Sequence, residues 1–92
     1  MIVVVLLNSG ATMGKLAKNH NTWELHEPRL MEIVHNQGQV GIRLSPLIGE
    51  PPVLFLGSSI IYYIPKDERL TNTYVEATSN IKIAKILPTM KQ

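Results

Sequence analysis

Short apolar segments alternate with clusters of turn-forming residues along this chain, which is typical of a protein built mainly from β-strands. Ile2–Leu7 is a continuous β-branched and apolar run, which predicts a buried strand. A turn at residues 8–10 separates it from a second strand over residues 11–18, within which Gly14 predicts a sharp bend or bulge. Residues 19–21 predict the next turn.

The third strand begins after that turn and is predicted to be half-buried. Over residues 22–27 the side chains alternate, with Trp23 and Leu25 on one side of the strand. Glu24 and His26 lie on the other side. Because they share this face, we expect Glu24 and His26 to be neighbours.

Proline and glycine punctuate the middle of the chain. Pro28 interrupts the third strand, which resumes over residues 29–35. Residues 36–39 read Asn-Gln-Gly-Gln and predict a hairpin turn, and residues 40–44 return as a strand. Residues 45–52 hold three prolines and a glycine, so they predict a loop or a break in a long strand.

Residues 55–65 predict a strand, a very tight turn and another strand. Gly57 allows a positive φ angle or a close backbone approach, and Ser58 and Ser59 favour a turn. The run over residues 60–64 is β-branched, aromatic and apolar on both faces. One face fits a core, and the other needs a cover, which either the same chain or another copy supplies.

The end of the chain changes its period. Leu70 and Tyr74 stand four residues apart, which predicts a helix over about residues 66–79 with Asp67 as its cap. A short last strand is predicted over residues 81–87. The fold class is therefore mainly β, with five or six short strands forming a small barrel or a sharply bent sheet, and one late helix. The length of 92 residues predicts one domain, residues 1–92.

Composition narrows the classes of function. The chain has no cysteine, which excludes disulfides and thiolate metal sites, and its net charge of +2 is weak support for a nucleic-acid partner. The longest apolar run, residues 1–7, is too short to span a bilayer and lacks the features of a signal peptide. We therefore expect a cytoplasmic protein with no membrane partner.

Catalytic and metal-binding patterns are missing from the sequence. The histidines stand at no metal-binding spacing, and residues 8–15 depart from the spacing of a phosphate-binding loop. Ser58 has no base or nucleophile-elbow pattern around it, and the carboxylates are expected to be solvated. We therefore expect no enzyme activity, no cofactor and no small-molecule substrate.

Five aromatic side chains, which single-strand binders use for base stacking, mostly lie in apolar strands here and are expected in a core or an interface. Trp23 is the exception, because it follows directly on a polar turn.

The order of these elements resembles the Sm and Sm-like family, which includes bacterial Hfq. Residues 55–63, Phe-Leu-Gly-Ser-Ser-Ile-Ile-Tyr-Tyr, are similar to the family's second motif, with Gly57 at its glycine. Residues 3–7, Gly10 and residues 13–16 resemble its first motif, with one residue fewer between the apolar position and the glycine. The resemblance implies a strongly bent five-stranded sheet that assembles into homo-oligomeric rings and binds RNA.

More specifically, residues 2–87 resemble small Sm-like proteins from marine metagenomes that are ascribed to cyanophages. The shared features are Glu-Pro-Arg at residues 27–29, the proline-interrupted fourth strand, the acidic helix start and Tyr-x-x-Ala-Thr-Ser at residues 74–79. This resemblance implies post-transcriptional regulation in the cytoplasm of an infected cell.

The chain also departs from the family pattern. It starts in a strand instead of a helix, and its helix comes late. His20 and Glu24 stand at the usual aspartate and asparagine, and Leu56 stands at the usual arginine. Thr22 takes the place of the stacking aromatic, with Trp23 in the normally buried place. The residues of the usual uridine pocket are thus largely missing.

Two hypotheses follow for function. In the first, a ring binds single-stranded RNA through residues at two loops, namely His20, Asn21, Thr22, Trp23, Gly57 and Ser58. In the second, a structural ring has lost the RNA pocket and binds protein. Either ring would use as its subunit interface Ile60, Ile61, Tyr62, Tyr63 and Ile64. In a monomer, the late helix or the last strand would instead cover this edge.

Overall fold

The computed structural model describes the backbone of residues 1–86 and the side chains of residues 1–79. Six strands precede one helix: β1 (Ile2–Leu7), β2 (Gly10–Asn19), β3 (Thr22–Asn36), β4 (Gln39–Pro46), β5 (Val53–Phe55), β6 (Tyr62–Tyr63) and α1 (Glu68–Ile86). All the strand pairings are antiparallel. The prediction of a mainly β fold with one helix after the strands is confirmed.

The six strands form one open sheet with the order β4-β3-β2-β1-β6, and β5 pairs with β3. Strand β4 pairs along residues 29–36 of β3, and β5 pairs along residues 24–26 of the same strand. Because β2 occupies the opposite side of β3, β4 and β5 lie end to end along one side. Residues 47–52, within the predicted range of 45–52, therefore break a long strand, and the sheet is five strands wide.

Two of the hairpin turns, at residues 20–21 and 37–38, lie where the sequence predicts them. His20 has a φ of +59° between β2 and β3. Gln37 and Gly38, between β3 and β4, have φ values of +53° and +82°. In the β3–β4 turn both central residues have a positive φ, which is the geometry of a tight hairpin turn whose twist matches the strands.

A β-bulge lies at Gly14, where the sequence predicts a sharp bend or bulge. The pairing of β2 with β3 shifts register between Met13 and Lys15. A Cβ at Gly14 would lie 2.7 Å from Cγ of Leu25 and 2.9 Å from the carbonyl oxygen of His26. The strands therefore approach more closely here than any larger residue permits.

Gly57 differs from Gly14, because it has neither the positive φ nor the close backbone approach that the sequence analysis considers there. Its φ is not positive, and a Cβ added to it would meet nothing within 4 Å. The very tight turn predicted within residues 55–65 is wrong, because residues 56–61 separate β5 from β6, and β5 pairs with β3 whereas β6 pairs with β1. The half-buried side chain of Ile60 packs against the core, so the segment between β5 and β6 crosses the end of the sheet.

Strand β1 separates two apolar clusters. On one face, the first core is formed by Val3, Val5, Leu16 and Leu25. On the other face, the helix core is formed by Val4, Met13 and Tyr74. Helix α1 thus covers the face of the sheet that the strands leave open.

Tyr74 anchors the helix to the middle of β3. Its hydroxyl donates to the carbonyl oxygen of Glu27 at 2.8 Å and contacts that of His26 at 3.3 Å. Burial, with the Glu27 carboxylate as a second cause, raises the pKa of Tyr74 to about 12. The phenol therefore stays protonated as a donor at neutral pH.

Helix α1 begins at its predicted cap and ends later than predicted. Asp67 Oδ1 accepts a hydrogen bond from the backbone N–H of Arg69 at 2.9 Å. The helix continues to Ile86, so the strand predicted over residues 81–87 is wrong over residues 81–86, and Leu87 lies outside the described residues. Ser79 and Asn80 are weak helix breakers, whereas the proline that stops a helix comes only at position 88. Within the described residues, no helix has the length and hydropathy needed to cross a bilayer.

Candidate nucleic-acid interface

The turn between β2 and β3 presents polar side chains to solvent at one end of the sheet. Asn19, His20, Asn21 and Thr22 are all exposed. The hydroxyl of Thr22 donates to the carbonyl oxygen of Asn19 at 3.0 Å, which closes the turn. His20 and Asn21, the residues predicted to bond base edges, are therefore open to solvent.

The segment after β5 is joined to this turn by backbone hydrogen bonds. The N–H of Leu56 donates to the carbonyl oxygen of Trp23 at 2.8 Å, and the N–H of Trp23 donates to that of Gly57 at 3.3 Å. Ser58 and Ser59 follow, both exposed. The structure thus brings together the two loops that contain the six predicted RNA-binding residues.

Trp23 is half-buried and packs against the first core. Its ring centroid lies 6.1 Å from that of Tyr62, with the planes tilted by 51°. The ammonium group of Lys18 lies over the ring at 5.0 Å from its centroid. The indole therefore has protein neighbours on several sides, and a base would have to displace Lys18 to stack on it.

Lys18 and Tyr62 belong to this site, although neither was predicted as an RNA-binding residue. A two-residue turn at His20 and Asn21 places Lys18 opposite Trp23, so the hairpin register was a usable signal. Tyr62 reaches the site only because β6 pairs with β1, a long-range contact that no local pattern indicates.

One acidic side chain lies beside the turn. Glu24 accepts hydrogen bonds from Asn19 at 3.1 Å and from His26 at 3.1 Å, which confirms that Glu24 and His26 are neighbours. These hydrogen bonds, with that from Asn19 the larger cause, hold the pKa of the Glu24 carboxyl below its usual value. Its side chain is only 17% exposed, so the expectation of a solvated carboxylate is wrong here. The ionised group opposes a phosphate at this position.

The predicted interface residues lie at the β6 end of the sheet. Ile60 packs half-buried against the first core. Among the others, Ile61 is 68% exposed and Tyr63 is 47% exposed, and Tyr62 and Ile64 are also exposed. The described part of α1 leaves this apolar strand uncovered.

The opposite edge of the sheet also exposes apolar side chains. Val40 is 66% exposed and Ile42 is 45% exposed on β4, and Ile33 stands beside Ile42 on β3. Since β4 and β6 are the two ends of the strand order, each has one side without a partner strand among the described residues. Natural edge strands usually carry charged residues or proline, which oppose association with another strand. The exposed side chains at these two edges are apolar and favour association.

The two edges expose their apolar residues on the same face of the sheet. Tyr63 pairs with Val4, whose side chain lies in the helix core. Val40 and Ile42 alternate with Leu44, which packs against that same core. Tyr63, Val40 and Ile42 therefore all point to the helix side.

Two surface grooves lie away from the loop site. A groove of about 300 Å³ runs between β4 and the start of α1, lined by residues 40–42 and by Asp67, Arg69, Leu70 and Thr73. Another, of about 490 Å³, lies beside the β4–β5 break and is lined by Ser9, Leu30, Glu32, Ser45, Pro46, Leu47 and Ile48. The residues that the structure describes hold no cluster of three or more potential metal ligands.

Comparison with known proteins gives no relative from which to transfer a function. No family model matches the chain. No curated protein and no solved structure matches it either. The candidate function must therefore be argued from the geometry of the two loops and the two edges.

Proposed function

We propose that this chain is an Sm-like protein that assembles head to tail into a homo-oligomeric ring and binds single-stranded RNA at its paired loops. The observation that carries the proposal is the junction of residues 19–23 with residues 57–59 through Trp23 and Gly57. Each subunit of a ring would present this junction once. We propose post-transcriptional regulation in the cytoplasm of a cyanophage-infected cell as its role.

Three features of the sheet support the Sm-like part of the proposal. The sheet is five strands wide, its longest edge is interrupted at residues 47–52, and a β-bulge lies at Gly14. The width agrees with the five-stranded sheet that the sequence resemblance implies, and a bulge is a position at which a strand bends. Helix α1 follows these strands and covers Val4 and Met13 with the side chain of Tyr74.

The ring is supported by the two edges. A β6 edge that meets the β4 edge of another copy would satisfy backbone groups on both strands and cover Tyr63, Val40 and Ile42 together. The two patches differ, so the contact is head to tail, and such contacts close into a ring when the rotation permits. A small domain with a modest core gains stability from this association.

The RNA site is supported by exposed groups of suitable chemistry. His20, Asn21 and Ser58 offer donors and acceptors for base edges, and Lys18 is a cation beside them. One such site is small and would bind weakly. Symmetric copies around a ring would raise the overall affinity through effective concentration.

Fluorescence anisotropy with labelled oligo(U) and oligo(A) RNAs tests the proposal, at low and physiological salt and with the oligomer mass measured in the same buffer. We expect binding that weakens steeply as salt rises, because phosphate contacts release counterions. The double variant His20→Ala/Asn21→Ala should lose at least tenfold in affinity and keep its mass.

A matched control lies at the other hairpin, where the same residue types occur. His35 and Asn36 are exposed and flank the β3–β4 turn. We expect His35→Ala/Asn36→Ala to bind RNA like the wild type. Equal loss in both double variants, or normal binding by His20→Ala/Asn21→Ala, would contradict the site assignment.

The alternative is a structural ring that binds protein and has no RNA site. The ionised Glu24 beside the turn and the Lys18 cover over Trp23 favour it. Leu56, half-buried where the family has an arginine, also favours it. No RNA binding at low salt by an intact oligomer would select this alternative.

A further inference from the structure

We infer that the groove between β4 and the first turns of α1 receives the side chain of Tyr63 from the neighbouring copy. This inference rests on the head-to-tail assembly proposed above and adds a second contact to the paired strand edges. In this arrangement, helix α1 contacts the neighbouring copy as well as covering its own sheet.

The groove has the chemistry that an aromatic side chain with a hydroxyl group requires. Its walls are Val40 and Ile42 of β4, with Leu70 and Thr73 of α1 opposite, and its volume is about 300 Å³. The exposed Asp67 at one end is paired with Arg69 at 3.0 Å. An apolar slot with polar groups at its end fits a tyrosine, whose ring is apolar and whose tip is polar.

The groove also offers acceptors for the tyrosine hydroxyl. The Arg69 side chain, and then its backbone N–H, hold the pKa of the Asp67 carboxyl below its usual value, so the carboxylate is ionised at neutral pH. Thr73 donates its hydroxyl to the carbonyl oxygen of Arg69 at 2.7 Å and so keeps its oxygen as an acceptor. Residues 60–65 carry no charge, and Lys66, which follows them, complements the acidic Asp67.

Strand geometry selects Tyr63 over its neighbours. Residues directly opposite each other in paired strands point to the same face of the sheet. Tyr63 points to the helix side, as do Val40 and Ile42, whereas Tyr62 points toward Trp23 on the other side. When β6 of one copy continues the sheet of the next, Tyr63 therefore faces the groove and Tyr62 faces away from it.

The same tyrosine cannot reach the groove of its own chain. Strands β1, β2 and β3 lie between β6 and β4. At about 4.8 Å per strand spacing, the two edges are roughly 19 Å apart along the sheet. A Tyr63 side chain in this groove therefore belongs to a second copy.

Photo-cross-linking tests this contact at the side chain itself. We would place p-benzoyl-phenylalanine at Tyr63, irradiate the assembled protein and map the adducts by mass spectrometry. We expect intermolecular adducts on Val40, Ile42, Leu70 or Thr73. The same probe at Tyr62 is the control and should not mark the helix residues.

Filling the groove gives a second test. Thr73→Trp should weaken assembly at least tenfold, measured as the concentration at which the oligomer dissociates. Asn72→Trp is the matched control, because Asn72 is exposed on the same helix and does not line the groove. We expect it to assemble like the wild type.

The outcomes separate this inference from the proposal on which it rests. Adducts in the groove together with loss of assembly in Thr73→Trp support it. A stable oligomer whose adducts from Tyr63 miss the groove, or which tolerates Thr73→Trp, overturns the groove contact and leaves the ring intact. A wild-type protein that is monomeric overturns the ring proposal itself, and the groove contact with it.

Discussion

Strand β1 and the run over residues 60–64, which contains β6, have similar sequences and different surroundings. Each is a continuous run of β-branched or aromatic apolar residues, Ile-Val-Val-Val-Leu-Leu in residues 2–7 and Ile-Ile-Tyr-Tyr-Ile in residues 60–64. In β1, Val3, Val4 and Val5 are fully buried. In the β6 run, four of the five side chains are exposed.

The difference comes from position in the sheet and not from composition. Strand β1 lies between β2 and β6, with the first core on one face and the helix core on the other. Strand β6 has one partner strand and only partial cover. An apolar pattern therefore indicates that a strand needs cover on both faces, and in the proposed ring a second copy supplies the cover for β6.

Removing the helix-side cover of β1 is expected to have the largest effect on stability. Tyr74→Ala deletes a fully buried ring from the helix core and should lower the free energy of unfolding by about 3–5 kcal/mol. Urea unfolding followed by circular dichroism measures it. Val75→Ala, at an exposed position of the same helix, is the control and should change stability by less than about 0.5 kcal/mol. Equal losses in the two variants would contradict the placement of Tyr74.

Gly14 and Gly57 are expected to respond differently to substitution by alanine. Gly14→Ala places a methyl group within 3 Å of Leu25 and of the His26 carbonyl oxygen, where a strand must move. We expect a loss of about 1–3 kcal/mol in unfolding free energy. Gly57→Ala meets no atom within 4 Å and should stay within about 0.5 kcal/mol of the wild type. A loss at Gly57 as large as that at Gly14 would contradict the open surroundings of Gly57.

The hydrogen bond that the Tyr74 hydroxyl donates to β3 is also expected to be lost at alkaline pH. The pKa of Tyr74 is raised from an ordinary value of 10.0 to about 12 in the folded protein, so its contribution to stability is fully present below pH 10. This contribution is lost as the pH rises from 10 through 12. Tyr74→Phe removes the donor and should cost about 1 kcal/mol at neutral pH.

The stability difference between wild type and Tyr74→Phe tests this account of the tyrosine. Urea midpoints measured from pH 8 to pH 12 should converge above pH 10. A difference that stays constant across this range would mean that the Tyr74 proton does not contribute to stability.

Local structure was largely predictable from the sequence. The first four strands, the turns at residues 19–21 and 36–39, and the break at residues 45–52 follow from apolar alternation and turn residues. The proximity of the two site loops was predicted through the resemblance. The exposed faces of His20 and Asn21 agree with their place in a polar turn.

Features that depend on distant contacts were not predictable. The Lys18 and Tyr62 contacts of Trp23 depend on strand pairing across the sheet. The length of α1 depends on the weakness of Ser79 and Asn80 as breakers. The surroundings of Gly57 were not predictable either, because a glycine in the sequence does not show which atoms lie near it in the fold.

Oligomer mass is the most direct test of the account, because its central claim is that a second copy covers β6. Native mass spectrometry with light scattering should give the wild type a multiple of the 10.3 kDa chain mass. Ile61→Lys/Tyr63→Lys should reduce it to one chain with an unchanged circular dichroism spectrum, since both side chains are exposed in the single subunit. A wild type that stays at one chain mass at high concentration, or a double variant that keeps the wild-type mass, would contradict the claim.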